Sequence, residues 1–196
     1  MQADGSNKHK MIETGELIKR QLRRLEKLPV PVVASMNGAD LGGGYELSLA
    51  CNHRIAFNHK SVQIGLPECS LGLYPAGGGV VRLTKLIGVE KSLDIILKSK
   101  RLSPDNALKQ GLIDQVVADV KELIPASKAW IHENKTNPSA RIFGMHPGTV
   151  DSKLSKPFQK NVSDKKLFQP TFAVQQMIKV IEEVRESDTG KVLAYD

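Results

Sequence analysis

An α/β fold is what the sequence predicts, on three observations. Short β-branched runs alternate along the chain with stretches whose apolar residues recur every three to four positions. Two glycine clusters, Gly42-Gly43-Gly44 and Gly77-Gly78-Gly79, each stand where an extended or loop segment hands over to a helix. The composition is that of an ordinary globular domain, 196 residues with 40% hydrophobic and 25% charged, which is enough to bury a sizeable core. The order strand, helix, strand, helix is that of a sheet covered by helices.

The elements follow in turn. Ile12, Leu17, Ile18, Leu22 and Leu25 fit one face of a helix over residues 11–27, which Pro29 stops. Residues 30–36 are a short β-branched run bounded by Pro29 and Asn37-Gly38, and read as a buried strand ending in a turn. The first glycine cluster opens a short apolar helix over 45–51. Residues 54–57 and 61–64 read as two strands across a turn at Asn58-His59-Lys60. After a loop through residues 65–75, the second glycine cluster starts a helix over 80–87 that Gly88 ends. Helices are expected over 91–97 and 104–110, the latter with Pro104 in its first turn and Gly111 at its end, then a strand over 112–117. Beyond about residue 125 the texture changes. Residues 134–170 hold Asn, Pro, Gly, Ser and Lys with little periodicity, and read as weakly structured or helix-poor. Phe172, Val174, Met177, Ile178, Ile181 and Val184 then fit one face of a final amphipathic helix. The expected organisation is a core over 1–125 and an extension with a linker helix over 126–196.

Composition narrows the function classes. There are 28 Lys plus Arg against 21 Asp plus Glu, a net charge of +7. These basic residues are dispersed, aromatics are only 5%, and no nucleic-acid-binding motif is present. They read as a solvated surface, with attraction of a phosphate-rich ligand as the other reading. No apolar run approaches the roughly 18 residues of a membrane span, and residues 1–10 are polar, with no signal-peptide core. Cys51 and Cys69 show no CxxC spacing, which fits a reducing compartment, hence a cytoplasmic location, and argues against structural zinc. Both read as packing thiols, and His53 and His59 as ordinary surface histidines.

The chemistry concentrates around the first glycine cluster. Three glycines between a strand and a helix let backbone approach a ligand closely, and free N–H groups at a helix start attract negative charge. Taken alone, such a triplet reads first as a tight turn needing positive φ. It matches neither G-x-G-x-x-G nor G-x-x-x-x-G-K-[ST], which argues against a dinucleotide or P-loop site. Glu46 follows in the first turn of the apolar helix, and Glu68 follows Pro67 between apolar stretches, 22 residues on (68 − 46). Each glutamate alone reads as a capping or surface carboxylate. Placed together in apolar surroundings, they would titrate as a coupled pair with raised pKa, suited to general acid/base work.

Residues 31–46, Pro-Val-Val-Ala-Ser-Met-Asn-Gly-Ala-Asp-Leu-Gly-Gly-Gly-Tyr-Glu, then Ile64-Gly-Leu-Pro-Glu68, then Leu71-Gly-Leu-Tyr-Pro-Ala-Gly-Gly-Gly-Val-Val-Arg-Leu83, resemble the enoyl-CoA hydratase (crotonase) superfamily. The likeness continues through Leu86-Ile-Gly88, residues 107–114 and Val116-Val117, and spans roughly residues 17–120 in the family's order. Residues 165–195 are similar to the linker that, in multifunctional fatty-acid oxidation α-subunits, joins the hydratase domain to a 3-hydroxyacyl-CoA dehydrogenase domain. The 22-residue interval between the glutamates resembles the same branch.

The resemblance implies a crotonase-like ββα spiral, here partial and with a C-terminal helical extension, that hydrates 2-enoyl-CoA to 3-hydroxyacyl-CoA in fatty-acid β-oxidation. It implies Glu46 and Glu68 as the catalytic pair around a water, and the N–H of Gly43 as half of an oxyanion hole. Substrate contacts are implied at Leu41, Gly42, Gly44, Pro67, Leu73, Ala76 and Gly77. It further implies no metal and no cofactor other than coenzyme A as part of the acyl-CoA thioester substrate. A homo-oligomer, and a thiolase partner in the full-length parent, are implied as well. Enoyl-CoA isomerisation, or a non-catalytic remnant serving as an interaction or oligomerisation module, are the alternatives. Three departures stand out. Asp40 occupies a position that is mostly small and apolar in the family, and Ala76 one that is frequently glycine. The family also carries a further N-terminal segment holding the first β-hairpins and the second oxyanion donor. The expectation is therefore an N-terminally truncated domain with impaired hydration.

Overall fold

The protein is described from a computed structural model covering residues 5–134, 143–146, 149–150, 167–168 and 191–194. Helix α1, Gly5–Glu26, leads into strand β1, Val33–Met36, the short strand β2, Asp40–Leu41, and helix α2, Gly43–Leu49. Strand β3, His53–Phe57, is followed by β4, Ile64–Gly65, and a 3-10 turn at Pro67–Leu71. Helices α3, Gly79–Ile87, α4, Val89–Leu97, and α5, Pro104–Gln110, precede strand β5, Gln115–Val117, and helix α6, Leu123–Glu133. Four further short strands are β6, Phe143–His146, β7, Thr149–Val150, β8, Leu167–Phe168, and β9, Lys191–Ala194.

The main sheet has the order β5-β3-β1-β6-β9, with every pair parallel. Parallel neighbours need crossover connections that put helices on the sheet faces, and the side chains of β1 and β3 sort accordingly. Val33 and Ile55 point to one face, where Val117 and the α6 residues Leu123 and Ile131 cover them. Met36 and Ala56 point to the other, into a core with Tyr45 and Leu49 of α2, Leu83 of α3, Ile95 and Ile96 of α4 and Ala107 of α5. Ala34 meets Leu22 and Leu25 of α1. Period-two alternation in the strands thus meets helix faces on both sides, the α/β arrangement the sequence predicts.

Salt bridges and buried hydrogen bonds pin the layers. Asp114 accepts from the Arg54 backbone N–H at 2.8 Å and pairs with the Arg54 guanidinium at 2.7 Å, tying β5 to β3. The buried Tyr45 hydroxyl donates to the Leu112 carbonyl at 2.8 Å and so fixes the tilt of α2.

Several expectations need correction. The strand expected over 61–64 is reduced to Ile64–Gly65, because His59 captures the residues before it: its ring nitrogen accepts from the Ser61 N–H at 3.2 Å and its carbonyl from the Val62 N–H at 3.0 Å. Nor does β4 form a hairpin with β3; it pairs in parallel with β2. The loop expected over 65–75 contains the 3-10 turn. Helix α6 runs across residue 125, where the composition shifts. His53 is not a free surface histidine: its ring stacks on Trp130, centroids 4.4 Å apart and planes 8° from parallel. Within the stretch read as weakly structured, the described residues form β6, β7 and β8. The amphipathic helix expected over 172–184 lies outside the described residues.

Candidate active site

Two successive strand-to-helix junctions build the site. Strands β2 and β4 set Asp40 opposite Ile64 and Leu41 opposite Gly65, and the pairing runs one step further, with the Gly42 N–H donating to the Gly65 carbonyl at 3.0 Å. The two loops leaving these strands are therefore held side by side. One enters α2 through Gly43; the other enters the 3-10 turn through Pro67. Gly42 turns the chain with φ 60° and ψ −127°, a conformation in which a side chain would be strained. Its N–H is used by the sheet, so Gly43 supplies the next donor. Gly43 is exposed, a Cβ there would meet nothing within 4 Å, and among the described residues its N–H has no acceptor.

One turn along α2, Glu46 is buried. The Gly79 N–H donates to its Oε1 at 2.7 Å, and the Gly77 and Gly78 amides lie near enough to favour its charged form. Burial pushes the Glu46 pKa up, and the Gly79 bond, the Gly77 and Gly78 amides and the Arg82 charge offset this only in part. The fit leaves no room for side chains. A Cβ on Gly77 would stand 2.6 Å from Glu46 Oε2, and one on Gly79 would stand 2.9 Å from both Cγ and Oε1. We expect Gly79→Ala to displace the carboxylate and lower turnover by about tenfold or more. A variant with wild-type kcat would show that the glycine turn is not what holds Glu46.

Glu68 hangs from the 3-10 turn, also buried. Burial, with a smaller contribution from the neighbouring Glu46 charge, pushes its pKa up to about 7. Its Oε2 has no hydrogen-bond partner among the described residues. The two carboxyls thus differ in surroundings. In Glu46 the Gly79 N–H on Oε1 and the Arg82 charge work against burial; Glu68 has one bare oxygen in an apolar setting and is pushed further towards its neutral form. Such a pair can take a proton at one oxygen while giving one from another.

Asp40 lies beneath the same turn, buried, with its Oδ1 only 2.9 Å from where a Cβ on Gly44 would sit. Burial pushes its pKa up to about 6, with the Ser48 hydroxyl partly offsetting this, and its Oδ2 has no partner among the described residues.

Of the residues singled out from sequence, Glu46, Glu68 and Gly77 come together, and Gly43 lies in the first turn of the helix that carries Glu46. Leu41 is half-buried in β2, Gly44 packs on Asp40, and Pro67 is buried at the start of the 3-10 turn. Leu73, 62% exposed, and Ala76, also exposed, lie on the loop towards α3. From sequence the second glycine cluster reads as a helix opener, with only Gly77 among the implied substrate contacts. Gly78, Gly79 and Arg82 were missed as parts of the site, although three consecutive glycines were a signal that something bulky sits against the turn.

The enoyl-CoA hydratase/isomerase family model matches residues 2–188. Over 95 residues the chain is 53% identical to the fatty acid oxidation complex subunit alpha of Shewanella loihica, covering 48% of this chain and 14% of that protein. Over 111 residues it is 46% identical to the same subunit of Shewanella amazonensis, covering 55% of this chain and 16% of that one. The chain therefore spans only a small part of these curated relatives. Among solved structures it is similar to the enoyl-CoA hydratase of Bacillus anthracis, with a TM-score of 0.60 and 37% identity, covering 64% of this chain and 47% of that one. With a family match over nearly its whole length and the α/β layers just described, the chain belongs to the enoyl-CoA hydratase/isomerase family.

Proposed function

We propose that the chain carries the enoyl-CoA hydratase activity of fatty-acid β-oxidation, adding water to a 2-enoyl-CoA thioester. The observation that carries this reading is the unequal pair of buried carboxyls, Glu46 held by the Gly79 N–H and Glu68 with a pKa pushed up to about 7. Glu46, as carboxylate, takes a proton from the attacking water as its oxygen bonds to the β-carbon. Negative charge moves onto the thioester oxygen, where the Gly43 N–H stabilises it. Glu68, as neutral acid, gives its proton to the α-carbon. One proton is taken and one given, and its return from Glu46 to Glu68 resets the pair. Leu41, Gly42, Gly44, Pro67, Leu73, Ala76 and Gly77 are the substrate contacts of this reading, and coenzyme A enters only as part of the substrate.

The wider setting is part of the same proposal. Homo-oligomer formation is supported by exposed apolar side chains on α3 and α4, among them Val81, Val89 and Leu97. A thiolase partner for the longer parent is supported by the relatives' description as subunits of a fatty acid oxidation complex. No helix among the described residues is long and apolar enough to cross a membrane, and the two unpaired cysteines support a reducing, cytoplasmic setting.

The test is hydration of a short 2-enoyl-CoA by the purified chain across pH. Glu68 must be protonated to act, so kcat/KM should fall as pH rises through about 7. Conversion of a 3-enoyl-CoA without hydration would replace the reading with an isomerase, and turnover of neither would reject it.

A further inference from the structure

The Gly77-Gly78-Gly79 turn separates two charged groups. Its N–H groups face the Glu46 carboxylate on one side. On the other side lies the Arg82 guanidinium from α3, only 12% exposed, whose Nη1 donates to the Gly77 carbonyl at 2.9 Å. Gly78, with φ 108°, is where the guanidinium presses closest, since a Cβ there would collide with Nη1. The guanidinium is itself anchored from behind: Nε donates to Glu26 Oε1 of α1 at 2.8 Å, and Glu26 Oε2 accepts from Arg23 at 2.9 Å. The planar fork of arginine can hold two acceptors in fixed directions, which an ammonium cannot.

A peptide carbonyl and the N–H of the following residue share one plane and point in opposite directions. Fixing the Gly77 carbonyl towards Arg82 therefore aims the Gly78 N–H the other way, towards Glu46, and steadies the turn that carries the Gly79 N–H. We propose that Arg82 is a positioning residue for Glu46, locking the glycine turn so that its N–H groups stay aimed at the carboxylate, with Glu26 of α1 locking Arg82 in its place. The geometry stands by itself; only its consequence for turnover rests on the hydratase reading. The charged groups facing Glu46 are Arg82 from α3 and Glu68 from the 3-10 turn, with Glu26 and Arg23 of α1 behind Arg82. The positive charge of Arg82 favours the ionised form of Glu46, so it steadies the carboxylate as well as the turn that holds it.

The experiment is an NMR titration of the 196-residue chain with carbon-13-labelled glutamate carboxyls, the Glu46 signal being the one that Glu46→Gln removes. Arg82→Gln should raise the Glu46 midpoint by about half a pH unit or more. Arg82→Lys keeps the charge but not the fork, and should shift the Gly79 amide proton upfield as its bond to Glu46 loosens. With a 2-enoyl-CoA, Arg82→Gln should lower kcat by on the order of tenfold while KM holds. An Arg82→Gln midpoint within about 0.2 unit of wild type in a folded protein would overturn the proposal. Should that variant not fold, a Gly79 amide in Arg82→Lys unchanged from wild type would do the same. A wild-type chain that hydrates nothing would count against the hydratase reading and leave both NMR readouts standing.

Discussion

Glu46→Gln should remove hydration of a 2-enoyl-CoA by on the order of 10³-fold in kcat, with the melting temperature changed by only a few degrees. The substitution keeps the size and shape of the side chain. Its amide oxygen can still accept from the Gly79 N–H that holds Oε1. What it loses is the ability to take a proton from water. Glu68→Gln should fall to a comparable floor for the opposite reason, since an amide has no acidic proton to give the α-carbon. Rates and circular dichroism melts of the two variants beside wild type make the check. Either variant turning over at a near wild-type rate would remove its glutamate from the proton path.

Asp40→Asn should stabilise the protein at pH 8 and have little effect at pH 4. Burial lifts the Asp40 carboxyl from 3.8 to about 6, so the folded state binds its proton more tightly than the unfolded state. For a group raised in this way, the favourable contribution is complete below pH 3.8 and is lost as pH rises through about 6. Above that, folding must hold a charge in a site with one unpartnered oxygen. A shift of about 2.2 units at about 1.36 kcal/mol each puts the penalty at about 3 kcal/mol. Asparagine carries no charge, so the gain in urea stability should approach that figure at pH 8 and vanish towards pH 4. An equal gain at both pH values would mean that the charge is not the cause.

Elements bracketed by their own residues were the legible ones. Helix α5 runs over Pro104–Gln110 as expected because Pro104 presets its first turn and Gly111, in the left-handed region, ends it. Strand β4 was overread because 61–64 looks strand-like locally, while its length is set by the His59 turn and its pairing by distant β2. The site divides in the same way. The glycine triplet and the two glutamates can be picked out as chemistry-bearing types, but no periodicity brings residues 22 apart into one pocket; only the ordered motifs suggested it. Arg82 falls within a motif that carries the resemblance, but its role was not legible, because its partner Glu26 is 56 residues away and no local pattern links the two.

The β2–β4 ladder has a consequence for how such sequences drift in length. Glu46 and Glu68 each hang a few residues beyond adjacent rungs of that ladder, so the gap between acid and base is counted from the Leu41–Gly65 rung. Most of the intervening chain does not enter that count. Asn58 to Ser61 form an exposed turn far along the path from one glutamate to the other. Residues inserted or deleted there change the interval in sequence while the rung stays where it is. By contrast, adding a single residue between Gly65 and Glu68 would swing the second carboxyl away from the first. Sequence spacing and catalytic distance are thus decoupled on one side of the ladder and rigidly tied on the other.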